Sequence, residues 1–143
     1  MKAYIPSEEI IIKAYMSHSI RGRAGNAATG EEMLANNQKA IDIGIALRNR
    51  CPNLKLYIPA EMDFFLQDRG IEPIMIGEDV ILAMDCKIIE QCDTLLVYIP
   101  DDYISGGMQR EIRHALITCM QICYFSEVSD EVVKTINSLI KEN

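Results

Sequence analysis

Four short apolar runs are spaced along the chain with helix-length segments between them, and this alternation constrains the fold more than any other feature. The runs cover residues 10–16, 54–58, 94–98 and 121–125. Near-continuous hydrophobicity over four to eight residues marks strands covered on both faces. A fifth, weaker run, Ile74-Met75-Ile76, lies between Pro73 and Gly77. Between the runs, residues 29–50 open with Thr29 as a candidate cap and Glu31 and Glu32 in the first turn; both features favour a helix start. Met33, Ala40, Ile43, Ala46 and Leu47 then form an apolar stripe. Residues 79–91, 107–118 and 130–141 repeat the helical pattern, the last through Val132, Val133, Ile136, Leu139 and Ile140. Strands separated by helices pair in parallel. The expectation is an α/β, doubly wound, Rossmann- or flavodoxin-like parallel sheet of about five strands flanked by helices. Ligands of such sheets bind at the C-terminal strand edge, near the point where strand order reverses. The 143 residues show no repeat or linker, so residues 1–143 read as one domain.

A net charge of −7 argues against duplex nucleic acid, whose binding draws on clustered cations. It leaves open a small phosphorylated ligand, for which one local pocket suffices. The five cysteines are odd in number and include no CxxC pair, which fits a reducing compartment and no disulfide framework. Cys119 and Cys123, four apart at what reads as a helix end, are expected as buried small hydrophobes rather than metal ligands. His18 and His114 lack ligand spacing with any other His, Cys or acid, so neither a metal site nor a cofactor is expected. Ser7-Glu8-Glu9 interrupts the start of the chain where a signal peptide would need an apolar run, and no stretch is long enough to span a membrane. The expected location is cytoplasmic, with no membrane partner.

Three segments carry side chains suited to chemistry. The first, residues 17–26, combines Ser17 and Ser19 with Arg21, Arg23, Gly22 and Gly25. Glycines let backbone amides approach an anion and arginine forks match phosphate oxygens; a flexible polar loop has the same composition. In the second, Asp85 sits among Ala83, Met84, Ile88 and Ile89. There it is either a partly desolvated acid/base group or one residue of an exposed helix face. Asp93, eight residues on, stands at a strand start. In the third, Ser105-Gly106-Gly107 precedes a helix whose free amides favour an anion. Glu111 follows in the first turns, either facing the strand edge or as an ordinary acid near a helix start.

Together these segments resemble the nucleoside 2-deoxyribosyltransferase superfamily, closest to its deoxynucleoside 5′-monophosphate N-glycosidases and to small phage-borne domains without assigned function. The resemblance spans roughly residues 13–124. Its most specific part is the spaced set Asp85, Asp93, Gly107 and Glu111. Residues 93–101 are similar to the family's fourth strand, Glu111-Ile112 with Ala115 to its nucleophile helix, and Tyr15 with Ser19-Ile20-Arg21-Gly22 to the first loop of the monophosphate glycosidases. The resemblance implies that Glu111 attacks C1′ of the sugar, that Asp85 manages the proton on the departing base, and that Tyr15 orients Glu111. It implies that Ser105, where the nucleoside transferases carry an acid, admits a 5′-phosphate. The implied ligand is a nucleotide and the implied assembly a homodimer or larger homo-oligomer.

The chain departs from the family in three places: His18, Gln109 and Arg113 stand where glycine is usual. Bulk at Gln109 and Arg113 would crowd the pocket or contact a larger ligand. The leading expectation is therefore a nucleotide N-glycosidase. Beside it stand a deoxyribosyltransferase, a non-catalytic module that binds or sequesters a nucleotide or an NAD-derived signal, and a glycohydrolase acting on NAD.

Overall fold

A computed structural model describes residues 10–71 and 73–139. Four strands, β1 (Ile12–Ser17), β2 (Leu54–Tyr57), β3 (Thr94–Tyr98) and β4 (Gln121–Phe125), form a parallel sheet in the order β2-β1-β3-β4. Among the described residues six α-helices connect and flank them: α1 (Gly30–Arg50), α2 (Pro59–Gln67), α3 (Pro73–Ile76), α4 (Glu78–Glu90), α5 (Gly106–Ile117) and α6 (Asp130–Asn137), with a 3-10 helix at Gly22–Ala27. The fold is the expected Rossmann-like α/β arrangement, with four strands rather than about five. The fifth candidate run is the short helix α3. Pro73 lacks the N–H a sheet ladder needs and suits a first helical turn instead. None of the helices among the described residues is long and apolar enough to cross a membrane.

Period-two alternation along the central strands sends their side chains to two layers. Ala14, Met16, Leu96 and Tyr98 pack with Ala40 and Leu47 of α1 and with Val133 and Ile136 of α6. Tyr15, Leu95 and Val97 pack with Ile89 of α4 and with Met108 and Ala115 of α5. Helix α1 begins as its sequence suggests: Thr29 accepts from the Glu32 amide and the Glu32 carboxylate reaches back to the Thr29 amide. This reciprocal cap satisfies two otherwise unpaired amides. Gly44 lets α1 lie close on the sheet, since a Cβ there would fall 2.0 Å from Cδ1 of Ile58.

The cysteines depart from expectation. All five are free thiols, but Cys119 is exposed in a left-handed turn after α5 and Cys123 is only half-buried on β4. The helix has already ended at Ile117, so the two cysteines share no face.

The strand order places the functional region. After β1 the chain moves outward to β2, then returns to build β3 on the other side of β1. The order therefore reverses between β1 and β3, whose register pairs Tyr15 with Leu95 and Ser17 with Val97. Helix α5, which follows β3, starts at that same strand edge.

Candidate active site

Glu111 lies one and a half turns into α5, on the same face as buried Met108 and Ala115. That face packs on the sheet, so the carboxylate is carried inward, with 6% of the residue exposed. Tyr15 and Ser17, two apart on β1, point to the same side of the sheet. The Tyr15 hydroxyl donates to Oε2 of Glu111, and the Ser17 hydroxyl donates to Oε1 at 2.8 Å. Both carboxylate oxygens are thus held, and rotation of the carboxylate would break a buried bond.

Asp85, on α4, approaches the same tyrosine. Its carboxyl lies close enough to the Tyr15 hydroxyl for the two to shift each other's ionisation. Burial pushes Asp85 up to about 6, opposed by Tyr15 and supported by the nearby charge of Asp63. Burial pushes Glu111 up to about 7, opposed by the Tyr15 and Ser17 donors and supported by Asp85. Tyr15 is raised well above the phenol range, first by burial and then by the Glu111 and Asp85 charges, so it stays a neutral donor. The Asp85 charge raises Glu111, so a proton entering the site is shared by the pair. Tyr57 closes one side, stacked on Tyr15 with ring centroids 5.4 Å apart.

The residues expected to bind phosphate divide into two groups. Ser17, also expected in the phosphate loop, faces the protein interior instead. It is the last residue of β1, fully buried, and its hydroxyl holds Glu111. Ser19-Ile20-Arg21-Gly22 lies beyond the strand edge, where Ser19 accepts from the Gly22 amide at 2.8 Å and Asn36 holds the Ile20 carbonyl at 2.9 Å. Gly22 takes a left-handed φ of 63°, which glycine adopts without strain. Arg21 is exposed, with one guanidinium N–H on Asn26. Arg23 ties this loop to the segment after β3, donating to the Asp101 carbonyl at 2.6 Å. Ser105 caps α5 by accepting from the Met108 amide at 3.3 Å. Its own hydroxyl proton remains available to an anion beside the amides of Gly106 and Gly107.

Two other expected residues lie elsewhere. Asp93 is at the opposite strand edge, where it accepts from the Lys13 amide at 2.9 Å and its own amide donates to the Lys13 carbonyl. It pins the entry of β1 to that of β3. Gln109 is exposed, as is Arg113, and each is two residues from Glu111. Two positions turn a helix by about 200°, so both side chains leave on the side away from Glu111. The crowding expected of them does not arise.

Three features were missed in the sequence. Helix α2 was not anticipated, although Pro59 directly after an apolar strand is a helix-start signal. It carries Asp63, half-buried, which is raised mainly by burial and opposed by nearby Asn37 of α1. Asn37 falls between Met33 and Ala40 on the apolar stripe of α1; a polar residue on such a stripe signals a buried partner. His18 replaces the expected glycine at the end of β1 for a local reason. Its Nε2 accepts from the Ala60 amide at 3.2 Å, one of the free amides at the start of α2. Burial lowers His18 to about 4, which keeps this nitrogen an acceptor. His114 packs beside Glu90 at 3.0 Å in the last turn of α5.

The described residues contain no cluster of His, Cys, Asp or Glu able to hold a metal ion. Two shallow hollows open at the far edge of the sheet, one lined by Ile12, Cys51 and Leu54, the other by Arg48, Pro52 and Lys55. Neither contains a carboxyl group, and the single thiol, Cys51, is raised by burial and therefore less nucleophilic. No protein-family model, curated protein or solved structure matches the chain.

Proposed function

We propose that this protein is a nucleotide N-glycosidase that cleaves the base–sugar bond of a (deoxy)nucleoside 5′-monophosphate, a relative of the nucleoside 2-deoxyribosyltransferases. The observation that carries the reading is the buried Glu111 carboxylate held at both oxygens by Tyr15 and Ser17, with the charge of a second carboxyl, Asp85, acting on it.

A carboxylate fixed in this way is a preorganised nucleophile. It meets the developing positive charge at C1′ without reorganising. Glu111 attacks C1′, the C1′–N bond breaks, and the base nitrogen takes the departing electron pair and the proton from Asp85. The product of this half-reaction is a glycosyl ester of Glu111. Water then gives a proton back to Asp85 and attacks C1′, releasing the sugar phosphate and restoring Glu111. A second base in place of water would give transfer. The positive charge at C1′ favours the ionised form of Glu111, which leaves the shared proton on Asp85 when it is needed. The 5′-phosphate is taken by the Ser105 hydroxyl, the amides of Gly106 and Gly107, and the Ser19–Gly22 loop, with exposed Arg21 at its rim.

Gln109 and Arg113, whose bulk is the argument for a binding module without turnover, are exposed and two residues from Glu111, which favours the glycosidase reading over that alternative. As in the resembling family, we expect a homodimer or larger assembly. Met62, Phe65, Met75, Val80 and Met84 supply exposed apolar side chains on α2, α3 and α4.

The test is release of free base from a panel of ribo- and deoxyribonucleoside monophosphates, with NAD included. Glu111→Ala is expected to lower turnover by about a thousandfold or more, the scale for loss of a nucleophile. Tight binding with no base released, unchanged in Glu111→Ala, would overturn the reading. Ser105→Asp places a negative charge against the phosphate. It should lower use of nucleotides by about tenfold more than use of nucleosides; equal effects count against the phosphate site.

A further inference from the structure

We propose that Arg23 is a clasp over the mouth of the site: in the free protein the Asp101 carboxylate holds its guanidinium as a stand-in anion, and the 5′-phosphate of an arriving nucleotide takes that place. The proposal deepens the glycosidase reading and rests on it for the nature of the ligand.

The Arg23 side chain joins the two loops that leave the sheet where strand order reverses. Arg23 follows Gly22 directly in the loop after β1. Its Nη2 donates to the Asp101 carbonyl at 2.6 Å, its Nε faces Oδ2 of Asp101 at 3.4 Å, and its guanidinium carbon lies 5.5 Å from the centre of the Tyr103 ring. Asp101 and Tyr103 belong to the segment between β3 and α5. The bridge therefore spans the ends of two paired strands, at the edge where Ser17 holds Glu111. Each group proposed above for the phosphate is close in sequence to one end of it, Gly22 just before Arg23 and Ser105 two residues after Tyr103. Arg21, by contrast, stays in its own loop, bonded to Asn26 at 3.1 Å. The Asp101 turn is closed by its own bond, the Asp102 amide on the Ile99 carbonyl at 3.3 Å, so opening the clasp moves the arginine and leaves the segment before Ser105 in place.

Exposure sets the strength of the clasp. The side chains of Arg23 and Asp101 are 62% and 54% exposed. An ion pair in that setting is weak and screened by salt, so it orders the guanidinium without locking it. The one short bond goes to a carbonyl; the carboxylate meets Nε alone and does not engage the two-pronged fork. Arginine carries five N–H donors, and among the described residues Asp101 is the only acceptor on Arg23. A phosphate brings more charge than a carboxylate and three oxygens that match the fork, so it displaces the carboxylate. The Tyr103 ring face attracts the cation whichever anion it holds and keeps it between the loops during the exchange. A nucleoside brings no such anion and leaves the clasp shut. Discrimination of nucleotide from nucleoside then resides in Arg23.

The experiment measures, by calorimetry on Glu111→Gln, which blocks turnover, the affinity for deoxynucleoside 5′-monophosphates and for the matching nucleosides; base release is followed with Glu111 in place. Arg23→Ala, added to Glu111→Gln, should weaken nucleotides about tenfold and leave nucleosides unchanged. Asp101→Asn should act in the opposite direction, tightening nucleotides about two- to fivefold, the size of an exposed ion pair. With Arg23→Ala also present, that gain should vanish. A bridge that only braces the loops predicts that both single changes weaken nucleotides and nucleosides alike, and that result overturns the proposal. So does a gain from Asp101→Asn that persists without Arg23, since Asp101 would then act on the phosphate directly. The expected pattern with no base released supports the clasp and overturns the glycosidase reading alone. Base release that favours nucleotides equally with Arg23 or Ala at this position overturns the clasp alone. Failure of every nucleotide to bind overturns both.

Discussion

The two faces of β1 differ in kind. Ala14 and Met16 enter an apolar layer with Leu96, Ala40 and Leu47, where every side chain is satisfied by burial. Tyr15 and Ser17, alternating with them, also enter a buried layer, but one whose upper end closes on an ionisable carboxyl. Four consecutive residues thus serve two purposes. One face contributes stability through apolar area removed from water. The other surrenders some stability to keep Glu111, Tyr15 and Asp85 dry and fixed, as functional sites commonly do. The comparison predicts that changes on the first face lower stability and spare the chemistry, while changes on the second do the reverse.

The largest stability effect belongs to the apolar face. Met16→Ala removes a fully buried side chain from the middle of the sheet and should cost about 3 kcal/mol. Denaturant unfolding checks the loss. Base release by the folded fraction should stay within a few-fold of the parent, because Met16 points away from Glu111. A collapse of activity in the folded fraction would break the separation of faces.

The second effect has the opposite sign. Glu111 is raised by burial from its ordinary value to about 7. A carboxyl whose folded value is raised favours the folded state while it is protonated. That contribution is complete below the unfolded value and is lost as pH rises through about 7. The ionised form then costs about 3 kcal/mol relative to a neutral group. Glu111→Gln does not titrate, though its amide leaves one of the two hydroxyl donors without an acceptor. Its stability relative to the parent should therefore rise by about 3 kcal/mol between pH 4 and pH 8. Thermal unfolding across that range reads the difference. A constant difference would mean that Glu111 is not desolvated.

These contrasts also explain what was legible in the sequence. The central run at residues 94–98 was readable because β3 is buried along its whole length, and the run at 121–125 matched its strand in extent although Tyr124 is exposed. Thr29 with Glu32 marked the start of α1 through local capping chemistry. Glu111, Asp85 and Tyr15 were suggested by a spaced resemblance, and the fold brings the three together. What could not be read was direction. Ser17 looked like part of an anion loop, and only strand alternation sends it inward to Glu111 rather than outward to a ligand. Asp93 shared the spacing of the set, but it begins a strand whose other end carries the site. Gln109 and Arg113 are near Glu111 in sequence and far round the helix in space. Asp63 escaped notice because its partners, Asn37 and Asp85, are 26 residues before it and 22 after it in sequence, and only tertiary packing makes them neighbours.

The smallest effect tests the contact that separates the two faces most finely. Ser17→Ala deletes one hydroxyl from the active face and leaves the strand, its ladder and the opposite layer unchanged. Ser17 donates to Oε1 of Glu111 at 2.8 Å, and that donation opposes the upward push of burial. Without it Glu111 should be harder to ionise. The acidic limb of the rate profile should move to higher pH, and the rate at pH 7 should fall by about tenfold, the worth of one hydrogen bond to a charged group. At higher pH, where Glu111 ionises in either protein, the deficit should shrink toward the part due to lost orientation alone. Ser17→Thr, which keeps the hydroxyl, should restore the limb if the extra methyl is accommodated. A deficit independent of pH would assign Ser17 to packing and leave Tyr15 as the β1 side chain that serves Glu111. A deficit that closes with pH would place the boundary between scaffold and chemistry within a single strand, between the side chains of Met16 and Ser17.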